Sequence, residues 1–379
     1  MTSVGDVIDF TVGSPYFSTP EPAAAAAHAA IDAGETVYTP PAGVPELRVA
    51  VADKLRRDGL DYSPEQVVIG AGAKSLVYSV LAGNSLRGGR VILPAPHYAA
   101  YPKLVESAGG TPLIVPTERS DGFKITPKLL RENLDAGCRW LFLNSPSNPT
   151  GSVYTADELR AIGDVLLDFP DVLVLSDEIY ESFTYQGKTT SPAALSEDFR
   201  RRTVTLNGVS KTYGMTGWRI GYAAGPSDLI VRAIDAQFNL LNCASSISQA
   251  AALGALTMDQ GDVVSRNVGL VRHRDLAVRL LSESPHLDVT NPDGAFYLFP
   301  SFTPEFFRSI KAADPKSGVD RVLKHLTAES VVTVTPGFRF GSAAHFRINF
   351  AIHRKHLEEG CARIVDGINR FFESEGNNA

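Results

Sequence analysis

Lys211 and Arg219 stand eight positions apart in SKTYGMTGWRIG, residues 210–221, among small and hydroxyl-bearing residues that follow the strand-like run RTVTLNGV. A lysine that is poorly solvated and has another cation nearby falls in pKa and can condense with a carbonyl as a Schiff base. Arg219 is either that cation or an anion clamp, since a guanidinium grips a phosphate through two parallel hydrogen bonds. A solvated loop accounts for the stretch when it is taken alone.

Other segments offer complementary chemistry. SDEIY, residues 176–180, closes the apolar run DVLVL, and an acid at the end of a buried strand is costly unless a cation meets it. Asp177 therefore calls for a positive partner such as a protonated pyridine nitrogen, and Tyr180 is placed to donate to an oxygen on the same ring. The alternative is a turn-capping Asp beside a packed tyrosine. NSPSNPTG, 144–151, is a turn in which Pro146 and Pro149 each fix φ and restrict the residue before it. Such a turn can present the Asn148 amide to a phenolic oxygen or a carboxylate, with Thr155 and Glu158 forming the capping box of the next helix. GAGAKS, 70–75, runs from a strand into a helix, so backbone N–H groups around Gly72, Ala73 and Lys74 are free to meet a phosphate, although the spacing is not that of a Walker loop. Arg347 lies in the apolar run HFRINFA, where a charge needs an anion. That anion is a substrate carboxylate or an internal acid.

The elements that must position these groups are legible as a rhythm. Between about 45 and 275, short β-branched runs (QVVIGAGAKS, GRVILPAPHY, RWLFLNSPSNPTG, DVLVLSDEIY, RTVTLNGVSK) alternate with helical patterns. This predicts a mostly parallel sheet wrapped by helices, with ligands bound beyond the carboxyl ends of its strands. After about 276 the pattern changes to strand-like LDVT, GAFYLF and SVVTVTP, a helical EFFRSIKAADP, and a last helix over about 355–373. The alanine run at 23–31 reads as a surface helix. The expected division is a large cofactor domain, 45–275, and a small α+β domain built from 1–44 and 276–379.

Composition narrows the partners. The chain has 379 residues, 44% of them hydrophobic, and a net charge of −6, which gives no electrostatic reason to expect nucleic acid or an anionic membrane. Three cysteines, Cys138, Cys243 and Cys361, form neither a CxxC pair nor a zinc spacing, so no metal is expected and a reducing cytoplasm fits. The N-terminus carries acids where a signal peptide carries a basic region, and no apolar run is long enough to span a bilayer.

In order along the chain, VGSPYFSTPEP, VYTPPAGVPELR, GAGAKS, APHYAAYP, NSPSNPTG, SDEIY, SKTYGMTGWRIGYAAGP, PDGAFYLFP and FRINFA resemble the fold type I pyridoxal-phosphate enzymes, specifically the class I/II aminotransferases of the aspartate aminotransferase family. The resemblance implies a seven-stranded, mostly parallel sheet with a smaller α+β domain, pyridoxal 5′-phosphate as cofactor, and ping-pong transfer of an amino group from an L-amino acid to a 2-oxo acid. It implies that Lys211 holds the cofactor as a Schiff base, with Asp177 on the ring nitrogen. Tyr180 and Asn148 would bond the phenolic oxygen, Arg219 and Ser210 with Gly72, Ala73 and Lys74 the phosphate, and Tyr98 would stack on the ring. Arg347, assisted by Gly13 and Asn148, would hold the substrate α-carboxylate. It further implies a homodimer with shared sites, in which Tyr38 reaches the neighbouring subunit's phosphate.

Two motifs depart from the family's wording. The loop commonly written G-E-P-D-F-D-T-P here reads GSPYFSTP, and His97 and Tyr98 fill a segment more often Tyr-Trp. Both lie on the expected substrate side, so the amino donor stays open. A second arginine for a distal carboxylate is not identifiable, Arg232, Arg272 and Arg274 being expected on the surface, and Cys243 is expected to be a small buried residue. The rival outcomes for the same cofactor geometry are a carbon–sulfur lyase, a cyclopropane-forming synthase or an oxidase. The non-enzymatic alternative is the effector-sensing domain of a transcription regulator, which requires a preceding helix-turn-helix domain, and the first motif starts by about residue 10.

Overall fold

Seven strands pair into one sheet: β1 (Val67–Gly70), β2 (Arg90–Ala95), β3 (Thr111–Pro116), β4 (Cys138–Asn144), β5 (Leu173–Asp177), β6 (Thr203–Gly208) and β7 (Gly221–Ala224). The computed structural model describes residues 7–84, 86 and 88–377. The spatial order is β1-β7-β6-β5-β4-β2-β3, and every neighbouring pair is parallel except the two made by β7, which runs antiparallel to both β6 and β1. The α/β architecture read from the rhythm of the sequence is the one the chain adopts.

Apart from the edge strand β3, which is largely exposed, the strands are buried at nearly every position because both faces are covered. Successive side chains point to opposite faces, so Val91 and Leu93 join Trp140, Phe142 and Leu206 in one core, beneath α3 (Ala73–Gly83), α4 (Tyr101–Ser107) and α6 (Ser227–Leu241). Ile92, Leu141 and Leu143 face the other way, onto α5 (Ala156–Leu166), which opens with the expected Thr155–Glu158 capping box. On that same side of the β1–β7 edge lie α1 (Glu21–Asp32), α2 (Pro45–Arg57) and α7 (Ser246–Thr257).

The alanine run forms α1 as expected, but it is not simply a surface helix. Ala23, Ala27 and Ala30 are buried, and the helix packs on α7 so closely that a side chain at Gly254 would stand 2.7 Å from the Pro22 carbonyl. Of the span 1–44, residues 1–6 lie outside the described residues; Ile8 and Phe10 enter a different core from α1.

That further core is made by short strands β8 (Tyr297–Leu298), β9 (Thr335–Pro336) and β10 (Phe346–Asn349), and by α8 (Gly261–Leu281), α9 (Pro315–Glu329) and α10 (Arg354–Asn377). Tyr297 pairs with Asn349 and Thr335 with Arg347, both antiparallel. Two local patterns differ from the sequence reading. SVVTVTP splits into Val332–Thr333 and Thr335–Pro336, and EFFRSIKAADP is helical only over Pro304–Ser309, because Lys311 turns to φ +48° before Pro315 starts a new helix. The last helix runs to residue 377, longer than expected.

Candidate active site

The carboxyl ends of β4, β5 and β6 open into a cavity of about 510 Å³, within the usual range for a small-molecule site. Each strand delivers its motif where the chain leaves the sheet. Lys211, Asp177, Tyr180, Asn148, Ser210, Arg219, Ala73, Lys74, Tyr98, Gly13 and Arg347 all line this one cavity. Gly72 stands at its edge as the N-cap of α3, while Tyr38 lies outside it and is 84% exposed.

Lys211 is half-buried, and its exposed surface lies in the cavity. Burial, reinforced by the positive charges of Arg347 and Arg219, lowers its pKa to about 8, against 10.5 for an ordinary lysine. Its ammonium group donates to the Gly13 carbonyl. A lysine with this titration is a competent nucleophile toward an aldehyde near neutral pH.

Asp177 closes β5 and is almost wholly covered. Burial pushes its carboxyl upward, opposed by the Tyr101 hydroxyl donating to Oδ2 at 2.5 Å, the Ile179 N–H donating to Oδ1 at 3.2 Å, and the charge of Lys211. The turn-capping alternative thus accounts for one oxygen, with a tyrosine on the other. Tyr180 is buried, and its hydroxyl meets that of Tyr297 at 2.9 Å.

At the opposite wall Arg347 is 5% exposed, yet among the described residues no carboxylate lies within ion-pair distance of it. Its Nη1 donates to Asn148 Oδ1 at 2.9 Å and its Nη2 to the Thr11 carbonyl at 2.7 Å, while Nε is buried with no partner. The centre of the guanidinium lies 4.3 Å from the ring centre of Tyr297 and 5.0 Å from that of Phe340. The internal-acid alternative for this arginine is therefore set aside. A buried cation with neutral partners is a site for an external anion.

The start of α3 also faces this cavity. Gly72 caps the helix without a side-chain hydrogen bond, leaving first-turn N–H groups open. Its φ of +86° suits glycine, and a Cβ there would run into the Arg219 guanidinium. Arg219 itself sits in the left-handed region at φ +57°, with Nη1 tied to the Thr216 carbonyl at 2.9 Å.

The segment 11–16 roofs the cavity. Asn349 donates to the carbonyls of Val12 and Ser14 at 2.7 and 2.9 Å, the Ser14 and Thr216 hydroxyls meet at 2.9 Å, and the Tyr16 N–H reaches the Ala351 carbonyl. Sequence reasoning did not single out Tyr101, Tyr297 or Asn349. Tyr101 was findable as the residue one turn beyond Tyr98, and Tyr297 as the polar member of GAFYLF. Two expectations away from the cavity need correction. Arg274 is not a free surface charge, because it stacks 4.8 Å over Tyr185 beside Asp275, and Cys243 is half-buried. Arg232 and Arg272 are exposed.

Similarity to known proteins agrees with this geometry. The family described as "Aminotransferase class I and II" matches residues 5–364. Aspartate/prephenate aminotransferase of Cereibacter sphaeroides is 41% identical over 361 residues, covering 95% of this chain and 90% of the relative. The crystal structure of the aspartate aminotransferase from Rhizobium meliloti superposes with a TM-score of 0.89 at 36% identity, covering 96% of this chain and 92% of the other. The aromatic aminotransferase from Pyrococcus horikoshii gives 0.89 at 33% identity, with 97% of each chain covered.

Proposed function

Because the chain belongs to the class I and II aminotransferase family, we propose that the cavity between β4, β5, β6 and β10 is where it moves an amino group between an L-amino acid and a 2-oxo acid. It is a pyridoxal-phosphate-dependent aminotransferase. The observation that carries the assignment of the site is the pairing, in one cavity, of a lysine lowered to about 8 with a buried arginine that has no acid partner among the described residues.

The residues present fit the cofactor. The glycine-capped start of α3 with Arg219 and Ser210 suits its phosphate, buried Asp177 its ring nitrogen, and Tyr180 with Asn148 its phenolic oxygen. When bound, pyridoxal phosphate supplies an aldehyde that condenses with amines and a ring that draws electrons from the substrate Cα. Lys211 Nζ would hold the aldehyde carbon and, when free, would be the base placed to take the substrate Cα proton. Its lowered pKa keeps a useful fraction neutral for that step. Asp177 would keep a proton on the ring nitrogen, and a ring cation beside it would favour its ionised form. Asn148 commits Oδ1 to Arg347, which leaves its amide N–H groups for the phenolic oxygen. Arg347 would grip the α-carboxylate, and the neighbouring Tyr297 and Phe340 rings restrict how its fork can turn.

Relatives named for aspartate support a dicarboxylic amino donor. A second reading, an aromatic or other uncharged side chain, is favoured by the lining itself. Beyond Lys211, Arg219 and Arg347, the one further cation among the described residues that line it is Lys74, at the proposed phosphate end of the cavity. Homodimerisation is supported by exposed Val37 and Tyr38, in a loop tied to α6 by the Gln237–Pro41 bond, and by exposed Phe238 and Leu240 on α6. Three unpaired cysteines accord with a cytoplasmic location. The two-domain division is supported at its C-terminal side by the separate core around β8 and β10.

A half-reaction scan tests the reading. Purified cofactor-loaded protein is mixed with single amino acids in the absence of any oxo acid, and the absorbance of the cofactor is followed. Conversion to the amine form with release of the matching oxo acid names the donor. Release of ammonia, peroxide or a cleaved side chain instead would assign the site to another chemistry.

A further inference from the structure

We propose that Tyr297 is a positioning residue that serves both ends of the site at once, its hydroxyl directing Tyr180 and its ring face orienting Arg347. The inference rests on the assignment of Tyr180 and Arg347 made above. Tyr297 is fully buried on β8, in register with β10, the strand that carries Arg347. Its ring lies 4.3 Å beneath the guanidinium centre and meets the Tyr180 ring edge-on at 5.6 Å. Its hydroxyl meets the Tyr180 hydroxyl at 2.9 Å, and it lies so near the roof that a Cβ on Gly13 would come within 2.9 Å of it.

Two hydroxyls in contact share one proton donation between them, and either order satisfies the pair. The order becomes fixed once Tyr180 must give its own proton to the cofactor's phenolic oxygen. Tyr297 is then the donor and the Tyr180 oxygen the acceptor. A phenol that accepts a hydrogen bond is a stronger donor, so the proton order Tyr297 to Tyr180 to phenolic oxygen strengthens the last bond. That bond withdraws negative charge from the phenolic oxygen, charge that would otherwise hold the proton on the Lys211 imine nitrogen. The Tyr297 hydroxyl thus lowers the pKa of the imine. The ring acts separately. A guanidinium packed against an aromatic face is limited in how its fork can turn and loses that constraint if the face is removed.

The two parts separate by substitution. In Tyr297→Phe the ring stays and the hydroxyl goes. The imine midpoint, read from the visible absorbance of the cofactor-loaded protein against pH, should rise by a few tenths of a unit, with KM for the amino acid changed less than twofold. In Tyr297→Leu the ring also goes, and KM should rise about tenfold, the scale of one cation–π contact in a desolvated site. Tyr180→Phe should raise the midpoint by more than Tyr297→Phe does, and adding Tyr297→Phe to it should raise it no further, because the route from Tyr297 to the imine runs through Tyr180. A midpoint that stays or falls in Tyr297→Phe, or that rises additively in the double variant, overturns the role of the hydroxyl. An unchanged KM in Tyr297→Leu overturns that of the ring. Should Tyr180→Phe alone leave the midpoint where it was, the fault lies in the placement of Tyr180 at the phenolic oxygen.

Discussion

Arg347 is the residue at which the account of the site is most exposed to test. It gives one N–H to Asn148 and one to the Thr11 carbonyl, and among the described residues its Nε has no partner and no acid stands beside it. A substrate carboxylate would take two parallel N–H bonds from this fork. Lysine in its place keeps the charge but reaches with a single ammonium, so at least one charge-assisted bond is lost, worth about 1.5–3 kcal/mol. This corresponds to a rise of roughly 10- to 150-fold in KM for the amino acid. Arg347→Met removes the charge as well and should cost more. The two variants also part company at Lys211. Burial is the larger cause of its lowered pKa and the charge of Arg347 the next. Arg347→Met should therefore raise the Lys211 midpoint above about 8 but leave it short of 10.5, whereas Arg347→Lys should leave it in place. The assay is the rate at which cofactor-free protein captures pyridoxal, measured against pH, beside amino-acid titrations of the loaded protein. Wild-type substrate affinity in both variants, or an unmoved Lys211 midpoint in Arg347→Met, would refute the reasoning.

Three further outcomes are expected. Lys211→Ala should purify without the visible absorbance of a lysine-bound cofactor; a yellow variant would mean that another lysine holds it. Gly72→Ala forces a side chain into φ +86° and against Arg219, which should destabilise the turn by about 1–3 kcal/mol and weaken cofactor binding tenfold or more; an unchanged spectral titration would show that the corner is not the phosphate site. Glu178 faces away from Asp177 and is buried, with its carboxyl pushed up to about 7 by burial against the opposing bonds from Ser176 and Ser191. Because the folded state keeps a proton that the unfolded chain has released, stability is lost as pH rises from about 4.5 to about 7. Glu178→Gln does not titrate, so denaturant unfolding should show it gaining on the wild type across that window by up to about 3 kcal/mol; a difference that is flat with pH contradicts this.

The parts of this protein that the sequence made legible are those governed by local pattern. β-branched runs ending in polar tails gave the sheet, and the tails put Asn148, Asp177 and Lys211 at one edge of it because parallel strands finish on the same side. What stayed hidden depends on long-range register. Tyr297 is 117 residues from Tyr180 in sequence and meets it only because β8 pairs with β10. Tyr101 reaches Asp177 across 76 residues, and Asn349 grips the roof from more than 330 residues away. The broken strand at 332–336 and the split helix at 304–329 escaped for a different reason. Their breaks are set by a backbone turn at Lys311 and by pairing of Thr335 with Arg347, neither of which has a composition of its own.

The antiparallel return of β7 has a consequence for how such a protein can diversify. Had β6 been followed by a helical crossover, the residues after it would have come back to the sheet at the far end. Instead the chain turns within residues 209–220 and re-enters beside the strand it left, so that Lys211 and Arg219 share one short loop, braced against the start of α3 through Gly72. The groups proposed to retain the cofactor therefore all come from the central sheet's strand ends and the start of α3, while the carboxylate fork on β10 and the roof at 11–16 arrive from the two ends of the chain. Substitutions in those terminal segments can redraw which amino acid is accepted and leave the cofactor's anchorage intact. GSPYFSTP and its neighbours are the places where such a lineage is free to experiment.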